Sequence, residues 1–110
     1  MRYLDESLLD ELRDILEGEF PALVSTYVQD SAVRVQDMNA AFAKGDADAL
    51  RKSTHSLKGA SANLGLEVLS ELCRELEEKA LAGSLEGVES LLQQVAEEQQ
   101  RATGLLKAYL

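Results

Sequence analysis

At 110 residues the chain is long enough to bury one core without disulfide or metal staples, and short for more than one domain. Its 20 acidic and 11 basic residues leave a net charge of −9, which argues against nucleic acid or an anionic membrane surface as a partner, since both require a basic face. One cysteine, Cys73, cannot make an intrachain disulfide and fits a reducing compartment. No N-terminal stretch has the layout of a signal peptide and no apolar run is long enough to cross a bilayer, so a cytoplasmic protein is expected.

The composition is rich in Ala, Leu and Glu, with 5% aromatics and a single proline, and favours helix because straight-chain side chains lose little rotamer freedom there. The first predicted helix carries Leu8, Leu9, Leu12, Ile15 and Leu16 at helical spacing after Tyr3-Leu4, with Asp5 or Ser7 to cap its start and Gly18 to end it. A second opens around Glu19-Phe20-Pro21, where proline fits because a first-turn N–H has no intrahelical partner, and runs to Lys44-Gly45. Its stripe is Phe20, Val24, Tyr27, Val28, Val35, Met38 and Phe42. The third spans Ala47 to about Asn63, with Asp46 as N-cap and Gly65 as the residue that stops it. Leu69, Leu72, Cys73, Leu76 and Ala80 mark a fourth helix ending at Gly83, and Cys73 reads there as a small core residue. Ser84 is a cap for the fifth, whose inward positions run from Leu85 and Val88 through Leu91, Leu92, Val95, Ala102, Leu105 and Leu106 to Tyr109. Short connections make sequence neighbours pack antiparallel. The expected fold is all-α, an antiparallel four-helix bundle with a short additional N-terminal helix, and one domain covers 1–110.

The third helix departs from simple core patterning. Its inward face is Leu50, Thr54, Leu57, Ser61 and Leu64, and at about 100° per residue His55, the only histidine, lies roughly 160° from Leu57. His55 therefore faces solvent, with Arg51, Lys52, Lys58, Gly59 and Ala62 within about 60° of it on the wheel. Between Lys44 and Lys58 stand four cations and two acids, a local balance of +2 that leaves −11 for the rest of the chain. A neutral exposed imidazole can attack phosphorus. The resulting phosphohistidine carries about two negative charges, and in mid-helix no free backbone N–H receives them. Lys58, one turn along, is placed to do so. Gly59 costs about 1 kcal/mol inside a helix relative to alanine; four residues from the histidine it removes a side chain that would crowd the ring, and Ala62 keeps the next turn low.

His55-Ser56-Leu57-Lys58-Gly59-Ala60-Ser61, followed by Leu64-Gly65, resembles the signature of histidine-containing phosphotransfer (HPt) domains of multistep two-component phosphorelays, and the helices on either side and the total length suit such a bundle. The resemblance implies that His55 is the phosphoacceptor through Nε2, that Lys58 balances the phosphate and that Gly59 gives a partner steric access. It implies phosphoryl exchange with receiver domains of hybrid sensor kinases and response regulators. No cofactor is expected on this chain, with Mg²⁺ belonging to the partner's receiver site. A polar residue of the following helix commonly holds the other imidazole nitrogen in this family. Glu77 is the best candidate, with Arg74 and Glu78 as neighbours, although a solvated surface position is the simpler reading of Glu77. Arg51, Lys52 and Ala62 would belong to the partner-docking face.

No Gly-rich nucleotide loop and no aspartate-rich receiver pattern are present, so the chain is expected to be a carrier without a kinase or phosphatase active site, and a monomer. Met1 with no linker after it points to a stand-alone carrier. The alternative is a helical adaptor that binds signalling partners through the same face without phosphate. A metal or hydrolytic enzyme lacks a ligand set around one histidine.

Overall fold

The structure, a computed structural model, describes all residues 1–110 and contains helices and turns only. Helix α1 is Glu6–Leu16, a single 3₁₀ turn covers Glu17–Glu19, and α2 is Phe20–Ala43, α3 Ala47–Asn63, α4 Glu67–Leu81 and α5 Val88–Lys107. Helices α2 to α5 close a four-membered antiparallel ring in which α3 touches α2 and α4, and α5 touches α4 and α2. Helix α1 lies against α2 at one end. The bundle is elongated, 42 × 24 × 18 Å, and no helix is long and apolar enough to cross a membrane.

Local chemistry sets the helix ends. Asp5 caps α1 by accepting from the Leu8 amide, and Asp46 caps α3 by accepting from the Ala49 amide, each satisfying a donor that the first turn would leave unpaired. Helices α2, α3 and α4 close in one way: the amides two and three residues past the last helical residue turn back onto carbonyls of the final turn, as Gly65 does to Ala62 and Leu66 to Ser61. That closure needs a left-handed residue, supplied at the α3 end by Gly65 with φ +74°.

Two expected boundaries move. Gly18 does not provide the break after α1; Glu17 does, with φ +48°, and the chain passes through the 3₁₀ turn straight into α2. Ser84 does not cap α5; it belongs to the closure of α4, where its amide donates to the Lys79 carbonyl. The helix begins three residues later, behind Gly87 at φ +75°. Tyr3 and Ile15 also leave the expected stripe: both are exposed, Ile15 at 70%.

The core runs along the bundle axis through Phe20, Val24, Met38, Leu50, Leu57, Leu69, Leu76, Val95 and Leu106. Polar groups interrupt it, each with a partner. The Tyr27 hydroxyl meets Ser61 Oγ at 2.8 Å. Gln99 Nε2 donates to Ser31 Oγ at 3.0 Å and to Thr103 Oγ1 at 3.2 Å. Thr54 Oγ1 donates back to the Leu50 carbonyl at 2.7 Å. No buried side-chain nitrogen or oxygen is left unpaired, which avoids a cost of about 1–3 kcal/mol for each.

Candidate functional site

Burial of Leu50, Thr54, Leu57 and Ser61 against the bundle fixes the rotation of α3. That rotation turns His55 outward, with 64% of its side chain exposed. The ring is nevertheless held. Its Nδ1 lies 2.6 Å from Oε2 of Glu77 on α4, and the other oxygen of the same carboxylate, Oε1, accepts from Lys58 Nζ at 2.5 Å. The two helices are joined again along this seam by Ser70 Oγ, which donates to the Lys58 carbonyl at 3.4 Å.

Glu77 is therefore not a solvated surface residue: its side chain is 16% exposed and bridges two residues of the neighbouring helix. Burial pushes its carboxyl upward, but the hydrogen bonds and charges of Lys58 and His55 outweigh this and leave it below the ordinary carboxylate range. An ionised carboxylate can only accept hydrogen bonds. The hydrogen in the His55–Glu77 contact thus sits on Nδ1, and in a neutral ring the lone pair is on Nε2.

Gly59 faces open space, for a Cβ built there would meet nothing within 4 Å, so no helix contact requires a glycine at this position. Ala62 is exposed two turns beyond His55. Arg51 and Lys52 do not stand free: Asp48 pairs with both, at 3.0 and 3.2 Å. With Lys58 on Glu77, the local excess of positive charge is drawn into ion pairs of the helix surface, although exposed pairs of this kind are weak and exchangeable. Arg74 and Glu78 join each other and Glu71 in a separate surface cluster and do not reach His55. Cys73, one turn before Glu77, is fully buried and its thiol is pushed up to about 12 by burial and by the Glu77 charge. It is a core residue with no nucleophilic thiolate near neutrality.

On the side of α3 away from Glu77, a groove of about 260 Å³ opens between α2 and α3. Leu23, Tyr27 and Ala60 form its apolar part, Asp30 and Arg34 stand on the α2 rim, and Ser56, next to His55, lies on the other. The α2 stripe in the sequence marks Tyr27 but not the groove, which exists only once the rotations of both helices are known. No group of three or more His, Cys, Asp or Glu side chains is arranged to hold a metal ion.

An exposed, carboxylate-anchored imidazole in mid-helix of a four-helix bundle defines a class. The Hpt domain matches residues 22–104, most of the chain, and the protein belongs to this family of histidine phosphotransfer proteins of phosphorelays. The fold agrees at close range: the chain superposes with a TM-score of 0.94 on the crystal structure of histidine-containing phosphotransfer protein B (HptB) from Pseudomonas aeruginosa PAO1, with 39% sequence identity over 97% of this chain and 93% of that one. No curated protein sequence matches it significantly.

Proposed function

We propose that this chain carries a phosphoryl group on His55, accepting it from the aspartyl phosphate of one receiver domain and passing it to the aspartate of another. The observation that carries the reading is the ring itself: exposed, its Nδ1–H committed to Glu77, beside the open space over Gly59. The lone pair of Nε2 attacks phosphorus, the bond from phosphorus to the aspartyl oxygen breaks, and its electron pair leaves with the aspartate carboxylate. The ring keeps its Nδ1 proton, and the positive charge it gains is balanced by Glu77, as a buried acid balances an imidazolium in a catalytic triad. Delivery to a second aspartate is the reverse. Lys58 is the cation within reach of the transferred group, and Gly59 leaves room for the donor in line with the phosphorus.

The chain supplies the acceptor and its electrostatics. It acts as a cytoplasmic, monomeric carrier with no kinase or phosphatase chemistry of its own, and Mg²⁺ enters with the receiver. The groove between α2 and α3 borders His55 and offers a receiver an apolar seat with charged rims; Arg51, Lys52 and Ala62 flank the ring along α3.

The experiment is transfer of labelled phosphoryl from a phosphorylated receiver, with Mg²⁺, to the wild-type chain and to His55→Ala. Label should appear on the wild type in an acid-labile, alkali-stable linkage, and the variant should keep its helical circular dichroism and take none. Equal binding of receivers by both proteins, with label on neither, would make the chain an adaptor instead.

A further inference from the structure

Glu77 is shared. One oxygen anchors the ring that the reaction uses, and the other engages the only lysine on this face of α3 that does not pair with Asp48. With the imidazole in the neutral form that can act as a nucleophile, the three groups balance: one ring without charge, one carboxylate and one ammonium. A phosphoryl group on Nε2 brings about two negative charges and leaves one positive charge on the ring, which Oε2 of Glu77 faces, in a mid-helix setting where no free backbone N–H can answer the phosphoryl oxygens. Two charged acceptors then compete for one ammonium. The Nδ1–H cannot move between them, being fixed on the opposite side of the ring from Nε2, whereas Lys58 ends a flexible four-carbon stem and is 31% exposed.

We propose that Glu77 holds Lys58 in reserve: when His55 is phosphorylated, Lys58 leaves Oε1 of Glu77 for the phosphoryl oxygens, while the bond from His55 Nδ1 to Oε2 stays in place. The inference rests on His55 as acceptor and adds a moving part to it. Glu77 then does two separable things. It positions the ring in both states, and it prices the release of Lys58, so that the phosphoryl group is held less tightly than a free lysine would hold it and is handed on more readily. A glutamine at position 77 separates the two functions. Its carboxamide oxygen still accepts from Nδ1, but it no longer competes with phosphate for the ammonium.

Phosphoramidate, a small phosphoryl donor that needs no protein partner, allows the test without a receiver. The wild-type chain, Glu77→Gln and Lys58→Ala are phosphorylated with it and followed by ³¹P NMR and by the Lys58 side-chain ¹³C and ¹H shifts. In the free protein the Lys58 shifts should move on Glu77→Gln. In the phosphorylated protein they should move away from their free values and become insensitive to that substitution, and the ³¹P shift should depend on Lys58. The phosphohistidine half-life should shorten about threefold in Lys58→Ala, as expected for the loss of one partly exposed charge-assisted contact. Lys58 shifts that stay put on phosphorylation, or that still follow residue 77, overturn the exchange and leave the acceptor role of His55 standing. Failure of phosphoramidate to label His55 in a folded chain overturns both.

Discussion

At position 59 the structure separates two effects of one glycine. The site above it is empty, so nothing in the folded chain requires the absence of a side chain, while the helix is weakened by about 1 kcal/mol relative to alanine. Gly59→Ala and Gly59→Gln are both expected to raise the stability of the chain by up to about 1 kcal/mol in chemical denaturation. Their transfer activities should diverge. Gly59→Gln places a long side chain over the approach to His55 and should slow transfer from a receiver about tenfold or more, with labelling by phosphoramidate unchanged. A receiver that transfers to Gly59→Gln at the wild-type rate would remove the steric role. The outward placement of His55, Lys58 and Gly59 was legible in the sequence because it is local: they share one helix, and a rotation of about 100° per residue places them on one face. The grip of Glu77 was only a candidate, since it depends on the axial register of α4 against α3, which no pattern within either helix encodes.

Among the elements, stripes were more legible than ends. The spacing gave the inward face of α3 correctly, with Leu50, Thr54, Leu57 and Ser61 all buried, yet the stripes of α2 and α5 concealed Ser31, Glu98 and Gln99, polar residues that pack inside. They are tolerated because partners reach them from another helix or from the next turn. The break at Glu17 had no signal either, with a glycine next to it as the obvious candidate. A side chain at φ +48° is strained, and Glu17→Gly should raise the melting temperature, with a gain of about 1 kcal/mol; an unchanged or lower melting temperature would show that the turn carries no strain. The two flanks of α3 also allow a test of docking. Ala60 is exposed on the groove side and Ala62 on the α4 side of His55. If a receiver seats in the groove, Ala60→Arg should cut transfer from it about tenfold or more, with phosphoramidate labelling intact, and Ala62→Arg should have the smaller effect. The reverse order would place the partner over α4.

For the molecule as a whole, acid stability is set by carboxylates of opposite tendency. Glu77, Asp48 and Glu71 are held below their ordinary range by partners, so the stability they contribute is present at neutral pH and is lost as the pH falls through their depressed folded values. Glu98 runs the other way. Burial raises its carboxyl and the partly exposed Arg101 does not fully compensate, so its ionisation opposes folding above the raised value, and that cost disappears below the ordinary carboxylate pKa of 4.5. Glu98→Gln should therefore melt higher than the wild type at pH 7, with the gap closing as the pH falls through the raised value to 4.5. A constant gap across the range would assign the effect to packing.

The first five residues fasten the far end of the α3–α4 pair. The Asp5 amide donates to the Gly65 carbonyl, the Val68 amide to the Arg2 carbonyl, and the Arg2 guanidinium grips Glu67 at 2.8 Å, while a side chain at position 65 would strike Asp5. This rivet stops the hairpin from sliding lengthwise, and a slip of one helical turn would carry the carboxylate of α4 past the imidazole it steadies. The seat of the His55 ring on Glu77 is thus supported from outside the site, at the turn that joins α3 to α4.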